Sequence, residues 1–457
     1  MSSFRSAIRY TIIILFAFGG IAKAQKDTLR VMGYNVLYYG NGCQGPTQRF
    51  HKYLQTIVAY TNPDILSLEK MASIPVTRDD KYGTAPYGFA DSVVRFALDP
   101  AFPGRYAHTP FTNDAHTTNM AVIFYDRNKL GFLSIVSSYV NVTDFNTYKF
   151  YYRDPALSRT HDTTFLYVIP NHDMSGDDNE GVRGKQREGV MRTLKTHFAH
   201  LPNMIDLGDF NVRNSDEPFY KVLTTDSDSG FRFSDPPFFP DQKLSYFADW
   251  NHDPKYAAYF TTSTRESASI PNACGTGGGA KNWYDHIFLS PWIINNANYI
   301  RYIPNSYRTI GNDGQRFKIS VNNSNSHTNT SAPAEVIEAL YQMSNKYPVM
   351  ADLEVTSNTS GRSMADPEIA GVQETPKETV TVSAIAEEAL MIHFPADMTG
   401  QQITIQLFDT DGKEVMNKTK SVKGPEMAVK CKVAPGTYKV KLTGHHNILV
   451  ETKITKK

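Results

Sequence analysis

Met204-Ile205-Asp206-Leu207-Gly208-Asp209-Phe210-Asn211 decides how the rest of the chain is read. A short apolar run of this kind predicts a buried strand, and Gly208 permits a tight backbone turn where the run ends. Asp209 and Asn211 are then delivered at the C-terminal edge of that strand, where α/β sheets keep their chemistry. An Asx turn that merely closes a strand would use the same residues. Partners elsewhere in the chain decide between the two.

Upstream, residues 28–37 (TLRVMGYNVL) read as a first strand with Asn35 near its end. Apolar residues at helical spacing predict a helix over 49–61, stopped by Asn62-Pro63-Asp64. Residues 65–69 form a second strand with Glu69 at its tip. Further strands are predicted over 120–125, 132–142, 164–170, 205–211, 283–290 and 348–355, with helices over 189–200 and 335–343. Strands with interspersed helices over 25–355 predict one α/β domain built on two layers of sheet.

The remaining length asks for more than one core: 457 residues suggest two or three domains. Lys and Arg number 47 against 46 Asp and Glu, so net charge offers no field-level attraction to nucleic acid and leaves only a local basic groove. Arg5 and Arg9, an apolar stretch over 10–21 and Ala22-Lys23-Ala24 predict a signal peptide over 1–24, cleaved before Gln25. That stretch is short for a membrane span, and no later apolar segment is long enough. Export into an oxidising compartment makes Cys43 with Cys274 the expected disulfide, since Cys43, Cys274 and Cys431 allow one at most. Three free buried thiols are the alternative.

Composition changes after Val355. Residues 356–379 are rich in Ser, Thr, Gly, Pro and Glu without apolar period and read as a linker. Alternation returns over 380–457 in six short strands, 380–384, 389–394, 402–409, 426–433, 436–443 and 446–454, with Asp409-Thr410-Asp411-Gly412 as a hairpin turn. A small all-β, Ig-like sandwich follows from that pattern.

Asn35, Glu69, Pro170-Asn171-His172, Leu207-Gly208-Asp209-Phe210-Asn211 and Trp283-Tyr284-Asp285-His286-Ile287-Phe288 occur in an order that resembles the endonuclease/exonuclease/phosphatase superfamily, the fold of DNase I. Within it the chain is similar to a secreted branch found in Bacteroidetes, through Thr261-Thr262-Ser263-Thr264-Arg265, Gly311-Asn312-Asp313-Gly314 and Ala339-Leu340-Tyr341-Gln342-Met343-Ser344. The tail, with Pro435-Gly436-Thr437-Tyr438-Lys439-Val440-Lys441-Leu442, resembles the sorting domain of type IX secretion cargo. The resemblance implies a four-layer α/β/β/α fold over 25–355 and a monomeric, metal-dependent phosphodiesterase, most simply a nuclease, exported to the cell surface or beyond through the type IX machinery. An Ig-like binding module is the other reading of the tail.

The implied chemistry suits these residue types. Phosphodiester hydrolysis needs charge neutralised on phosphoryl oxygens, an activated water and a stabilised leaving oxygen. Asn35 and Glu69 offer hard oxygen ligands for Mg2+, with Mn2+ or Ca2+ as substitutes. Asp209 would orient or deprotonate water, Asn211 would donate to phosphate, and His172 would donate a proton or hydrogen bond near neutral pH. Arg183 and Arg187, with Gln186, would meet substrate phosphates or else form a solvated helix start.

The chain departs from the pattern where the family reads Ser-Asp-His before Pro-Val: here it reads Ser344-Asn345-Lys346-Tyr347-Pro348-Val349. Lys346 would replace an imidazolium as a fixed cation paired with Asp285, and Asn345 would remain an oxygen ligand without charge. His286 cannot substitute, because adjacent side chains of a strand face opposite sides. Two outcomes follow: a weakened enzyme, or a catalytically impaired surface protein that binds phosphates without cleaving them.

Overall fold

In the computed structural model, residues 25–456 are described except 73–85, 239–248, 269–273, 370–380, 383–387, 395–401 and 444–447 and single positions 116, 326, 360, 362 and 425. The signal peptide read over 1–24 and the later part of the linker lie outside the described residues.

The chain opens with β1 (Lys26–Tyr39), α1 (Thr47–Thr61) and β2 (Ile65–Ala72). α1 ends where Asn62 adopts the left-handed conformation and its N–H caps Val58, just ahead of Pro63. α2 (Pro86–Val93) runs into a π-helical turn and is followed by β3 (Tyr106–His108), β4 (Asn119–Asp126), β5 (Leu130–Asn141) and β6 (Thr143–Tyr152). Next come α3 (Leu157–Thr160), β7 (Phe165–His172), α4 (Glu180–His197), β8 (Met204–Asp209) and α5 (Pro218–Thr224). β9 (Asp285–Leu289), α6 (Pro291–Ile294), β10 (Ile300–Tyr302), β11 (Arg308–Thr309), α7 (Ala334–Met343) and β12 (Val349–Thr356) complete this part.

The strands form two sheets, one ordered β10-β12-β1-β2-β4-β3 with β11 beside β12, the other β5-β6-β7-β8-β9. They face each other through β1, β2 and β4 on one side and β7, β8 and β9 on the other, and share one hydrophobic core. α1 packs on α7, and α4 packs on α5 and β5. β1 is buried almost throughout its second half, as expected of a strand covered on both faces. The mixed α/β layering expected from the sequence is present.

Two elements differ from expectation for local reasons. β6 is an additional strand, because the β5–β6 hairpin turns on Val142 alone at φ 65°, and no Gly, Pro or Asn-Gly pair signals it. α4 begins at Glu180 and not near 189, because its buried face is polar: Arg183, Gln186 and Arg187 are buried there, so no apolar period appears. Gly189 admits this packing, since a Cβ would sit 2.0 Å from the Tyr139 ring.

After β12 the stretch read as a linker is held at its start. Ser357 N–H donates to the Gln25 carbonyl, Asp366 accepts from Tyr167, and Lys149 pairs with Asp366 and Glu368. Further on lie β13 (Thr381–Val382), β14 (Ala389–His393), β15 (Gln402–Phe408), β16 (Glu414–Ser421), β17 (Glu426–Lys430), β18 (Gly436–Thr443) and β19 (Ile448–Lys456). They form a three-stranded and a four-stranded sheet over a second hydrophobic cluster that includes Ile392, Ile405, Val429 and Val440. β16 was not expected, because its mostly exposed residues (EVMNKTKS) lack a buried face. Cys43 and Cys274 form a disulfide with Cα atoms 5.9 Å apart, and Cys431 is free and buried. Among the described residues, no helix is long and apolar enough to cross a membrane.

Candidate active site

Strand register places the site. Asn35 of β1 lies opposite Glu69 of the parallel neighbour β2, while Asp209 of β8 lies between His172 of β7 and Asp285 of β9. Gly208 allows the second grouping: at φ 139° it sits against β7, and a Cβ would lie 2.1 Å from the Asn171 carbonyl oxygen. Across the junction of the two sheets, Asn35 Nδ2 donates to Asp209 Oδ2 at 2.7 Å. Asp209 serves both readings of the opening stretch. Its Oδ1 accepts the Asn211 N–H at 3.2 Å as an Asx turn, while its Oδ2 faces the site.

Lys346 completes the group from the segment before β12. Its Nζ lies 2.8 Å from Asp209 Oδ2 and 3.6 Å from Asp285 Oδ2, over the ring of Tyr284. The sequence predicted Asp285 as its partner. The closer partner is Asp209, because that carboxylate also stands at the junction of the sheets. Ser344 supports the arrangement by donating to the Asn35 carbonyl at 2.7 Å.

Burial and charge set the protonation states. Burial raises the Asp209 carboxyl, but the Lys346 charge, with bonds from Lys346 and Asn35, outweighs it and holds Asp209 ionised. Burial pushes Asp285 up, and Lys346 offsets only part of that. Glu69 is pushed well above the usual carboxylate range, chiefly by burial and then by Asp285 and Asp209. Burial, followed by the Lys70 charge, lowers His172 to about 3.

A pKa lowered this far favours the neutral imidazole, so a hydrogen bond, more than a proton, is what His172 offers near pH 7. Its Nδ1 lies 3.0 Å from Asn119 Oδ1. With Nδ1–H donating to that oxygen, Nε2 keeps the lone pair and is an acceptor.

Other expectations change as well. Arg183 and Arg187 do not reach a substrate. Arg183 grips both oxygens of Glu217, at 3.0 and 2.9 Å, and Arg187 pairs with Asp173 at 2.9 Å and Asp206 at 3.1 Å, all of them buried. Desolvated guanidinium groups hold carboxylates because an unpaired buried charge is costly. Gln186 is used internally too, bonding Met174 N–H and the Asn141 carbonyl. Asn211 Nδ2 donates to the Asp173 carbonyl at 2.9 Å, so its amide holds the loop. His286 turns away from the site and contacts Asp235 at 3.0 Å, as alternation required.

Among the described residues, no group of three or more His, Cys, Asp or Glu is arranged to hold a metal ion. Glu69 nevertheless fits a cation. Both of its oxygens are buried with no hydrogen-bond partner, as is Asn345 Oδ1, whose amide nitrogen donates to Thr276. A buried carboxylate without a donor takes either a proton or a cation. Asn35 Oδ1 accepts the Leu37 N–H and retains a second lone pair.

Sequence reading missed Asn119, which orients His172, and Lys70, which follows Glu69 directly. Simple alternation would turn Lys70 away from the Glu69 face, and nothing local marks the bulge that re-aims it.

No protein-family model matches the chain, and no curated protein matches it. Among solved structures it is similar to D. rerio TDP2 complexed with single strand DNA product, at 13% identity and TM-score 0.43 over 71% of this chain and 98% of that one. It is also similar to the human nocturnin catalytic domain with bound sulfate, at 14% identity and TM-score 0.39 over 72% of this chain and 97% of that one. An endonuclease/exonuclease/phosphatase family protein from Bacteroides thetaiotaomicron matches at 15% identity and TM-score 0.41, over 73% of this chain and 97% of that one. At these values the chemistry is read from this chain's own residues.

Proposed function

We propose that the protein is an exported hydrolase of phosphodiesters, with nucleic acid as the substrate class that the sequence resemblance implies. One observation carries this reading: two carboxylates, an imidazole, an ammonium and an orphaned buried glutamate converge where the central strands of two sheets end. Glu69 and Asn35 would hold a divalent cation, which supplies charge neutralisation at the phosphoryl oxygens when bound. Asp209, kept ionised, orients the attacking water, and the neutral His172 accepts a hydrogen bond from it. Lys346 is a fixed cation that stabilises charge developing on the phosphate. Its pKa is raised by Asp209 and Asp285 against the effect of burial, so it does not titrate near pH 7. Loss of a titrating acid at this position makes turnover slow.

A second reading has an observation of its own. Lys346 already neutralises Asp209, which favours a protein that binds phosphate esters without cleaving them. Cleavage of bis-para-nitrophenyl phosphate, plasmid DNA and RNA by the full chain, with and without magnesium, separates the two. Magnesium-dependent cleavage that Asp209→Asn abolishes supports the hydrolase. Equal residual rates in wild type and Asp209→Asn sink it, and strong cleavage gained only by Asn345→Asp with Lys346→His supports the binder.

The tail over 380–457 is proposed as a type IX address. Deleting it should trap the protein in the periplasm, whereas unchanged export would mark the tail as a binding module.

A further inference from the structure

β2 is interrupted where it enters the site. Its register slips against β1 between Asn35 and Tyr39 and against β4 between Leu68 and Met71, so the strand is bulged on both sides at one place. Lys70 occupies that place in the left-handed region at φ 57°, opposite Leu37 and Tyr38 at φ 46° and 59°. A bulge re-aims side chains, and here it cancels the alternation that would separate Lys70 from Glu69.

Lys70 Nζ rests 4.5 Å from the centre of the Tyr38 ring, and the residue is half-buried. Its charge bears on His172 and on Asp209. Among the described residues it makes no ion pair with a carboxylate, whereas Lys346 is matched by both Asp209 and Asp285. A half-buried ammonium held by a ring and without an anion among the described residues suits a phosphate oxygen.

We propose that Lys70, seated on Tyr38, binds the substrate phosphate, its ammonium taking a non-bridging oxygen of the group that lies against His172 and Lys346. The inference rests on the reading of the site as one for phosphate esters. It adds a cation supplied by the bulge, and it makes Tyr38 a positioning residue that acts through Lys70.

The test is calorimetric binding of inorganic phosphate to the full chain, comparing wild type with Lys70→Met, Lys70→Arg and Tyr38→Leu. Loss of one charged hydrogen bond should weaken phosphate binding about tenfold in Lys70→Met and flatten its dependence on NaCl. Arginine should restore it, and Tyr38→Leu should weaken it by a smaller factor. Unfolding midpoints followed by tryptophan fluorescence establish that each variant is folded. Equal phosphate affinity in wild type and Lys70→Met overturns the proposal, as does a wild type that does not bind phosphate. Phosphate held through Lys70 without cleavage of any ester would refute the hydrolase and leave this assignment standing. Cleavage whose KM is untouched by Lys70→Met would do the reverse.

Discussion

Replacing Lys346 with methionine keeps much of the side-chain volume and removes the ammonium that lies 2.8 Å from Asp209 and 3.6 Å from Asp285. All three side chains are at least nine-tenths buried, so the variant leaves two carboxylates facing each other without their cation. Breaking a buried pair in this way costs about 3–5 kcal/mol. The loss should depend on pH, and its sign follows from linkage. In the wild type Asp209 is depressed, so its contribution is present above the unfolded carboxylate value and disappears only as pH falls through the lower folded value. In Lys346→Met that depression is gone and burial raises both carboxyls. The folded variant then binds more protons than the unfolded chain, and its stability falls as pH rises. The deficit should be largest at pH 8 and smaller at pH 5.

Urea unfolding followed by tryptophan fluorescence reads this directly, because Trp250, Trp283 and Trp292 all precede residue 356. Adding Asp209→Asn to Lys346→Met should recover a large part of the loss, since contacting residues are not additive. An unchanged midpoint at pH 8, or a deficit of equal size at both pH values, would refute the reasoning.

Four further outcomes are expected. Glu69→Gln should abolish thermal stabilisation by magnesium, which in the wild type reaches about 2.7 kcal/mol at a hundredfold excess over Kd. Because burial raises Glu69, magnesium binding at pH 7 should release a proton, seen as a calorimetric enthalpy that varies with buffer; a buffer-independent enthalpy contradicts the assignment. Arg187→Met should lower stability by about 3–5 kcal/mol by leaving Asp173 and Asp206 buried without their guanidinium, and a loss under about 1 kcal/mol would show that the network is not structural. Reducing the Cys43–Cys274 disulfide should lower the urea midpoint by an amount equivalent to about 2–5 kcal/mol, measured with and without dithiothreitol.

Much of the site was legible in sequence because its residues stand at the ends of strands that announce themselves locally. Apolar runs ending in Asn35, Glu69, His172 and Asp209 signal both the strand and the edge at which the polar residue emerges. The same locality hid β6, whose turn is one left-handed valine, and the first half of α4, whose buried face is made of arginines and glutamine.

What tertiary structure alone decided is which charge meets which. From sequence, Arg187 was a cation that would meet substrate phosphates and Lys346 one paired with Asp285; in the fold Arg187 lies against Asp173 and Asp206, and Lys346 lies closer to Asp209 than to Asp285. From sequence, His172 was a donor of a proton or hydrogen bond near neutral pH; burial and then the Lys70 charge lower its pKa to about 3. Periodicity records only what a residue does to its own backbone and its own face. Desolvation and Coulomb energy depend on what the opposite sheet delivers, and here that includes residues 174 positions apart in the bond from Asn35 to Asp209.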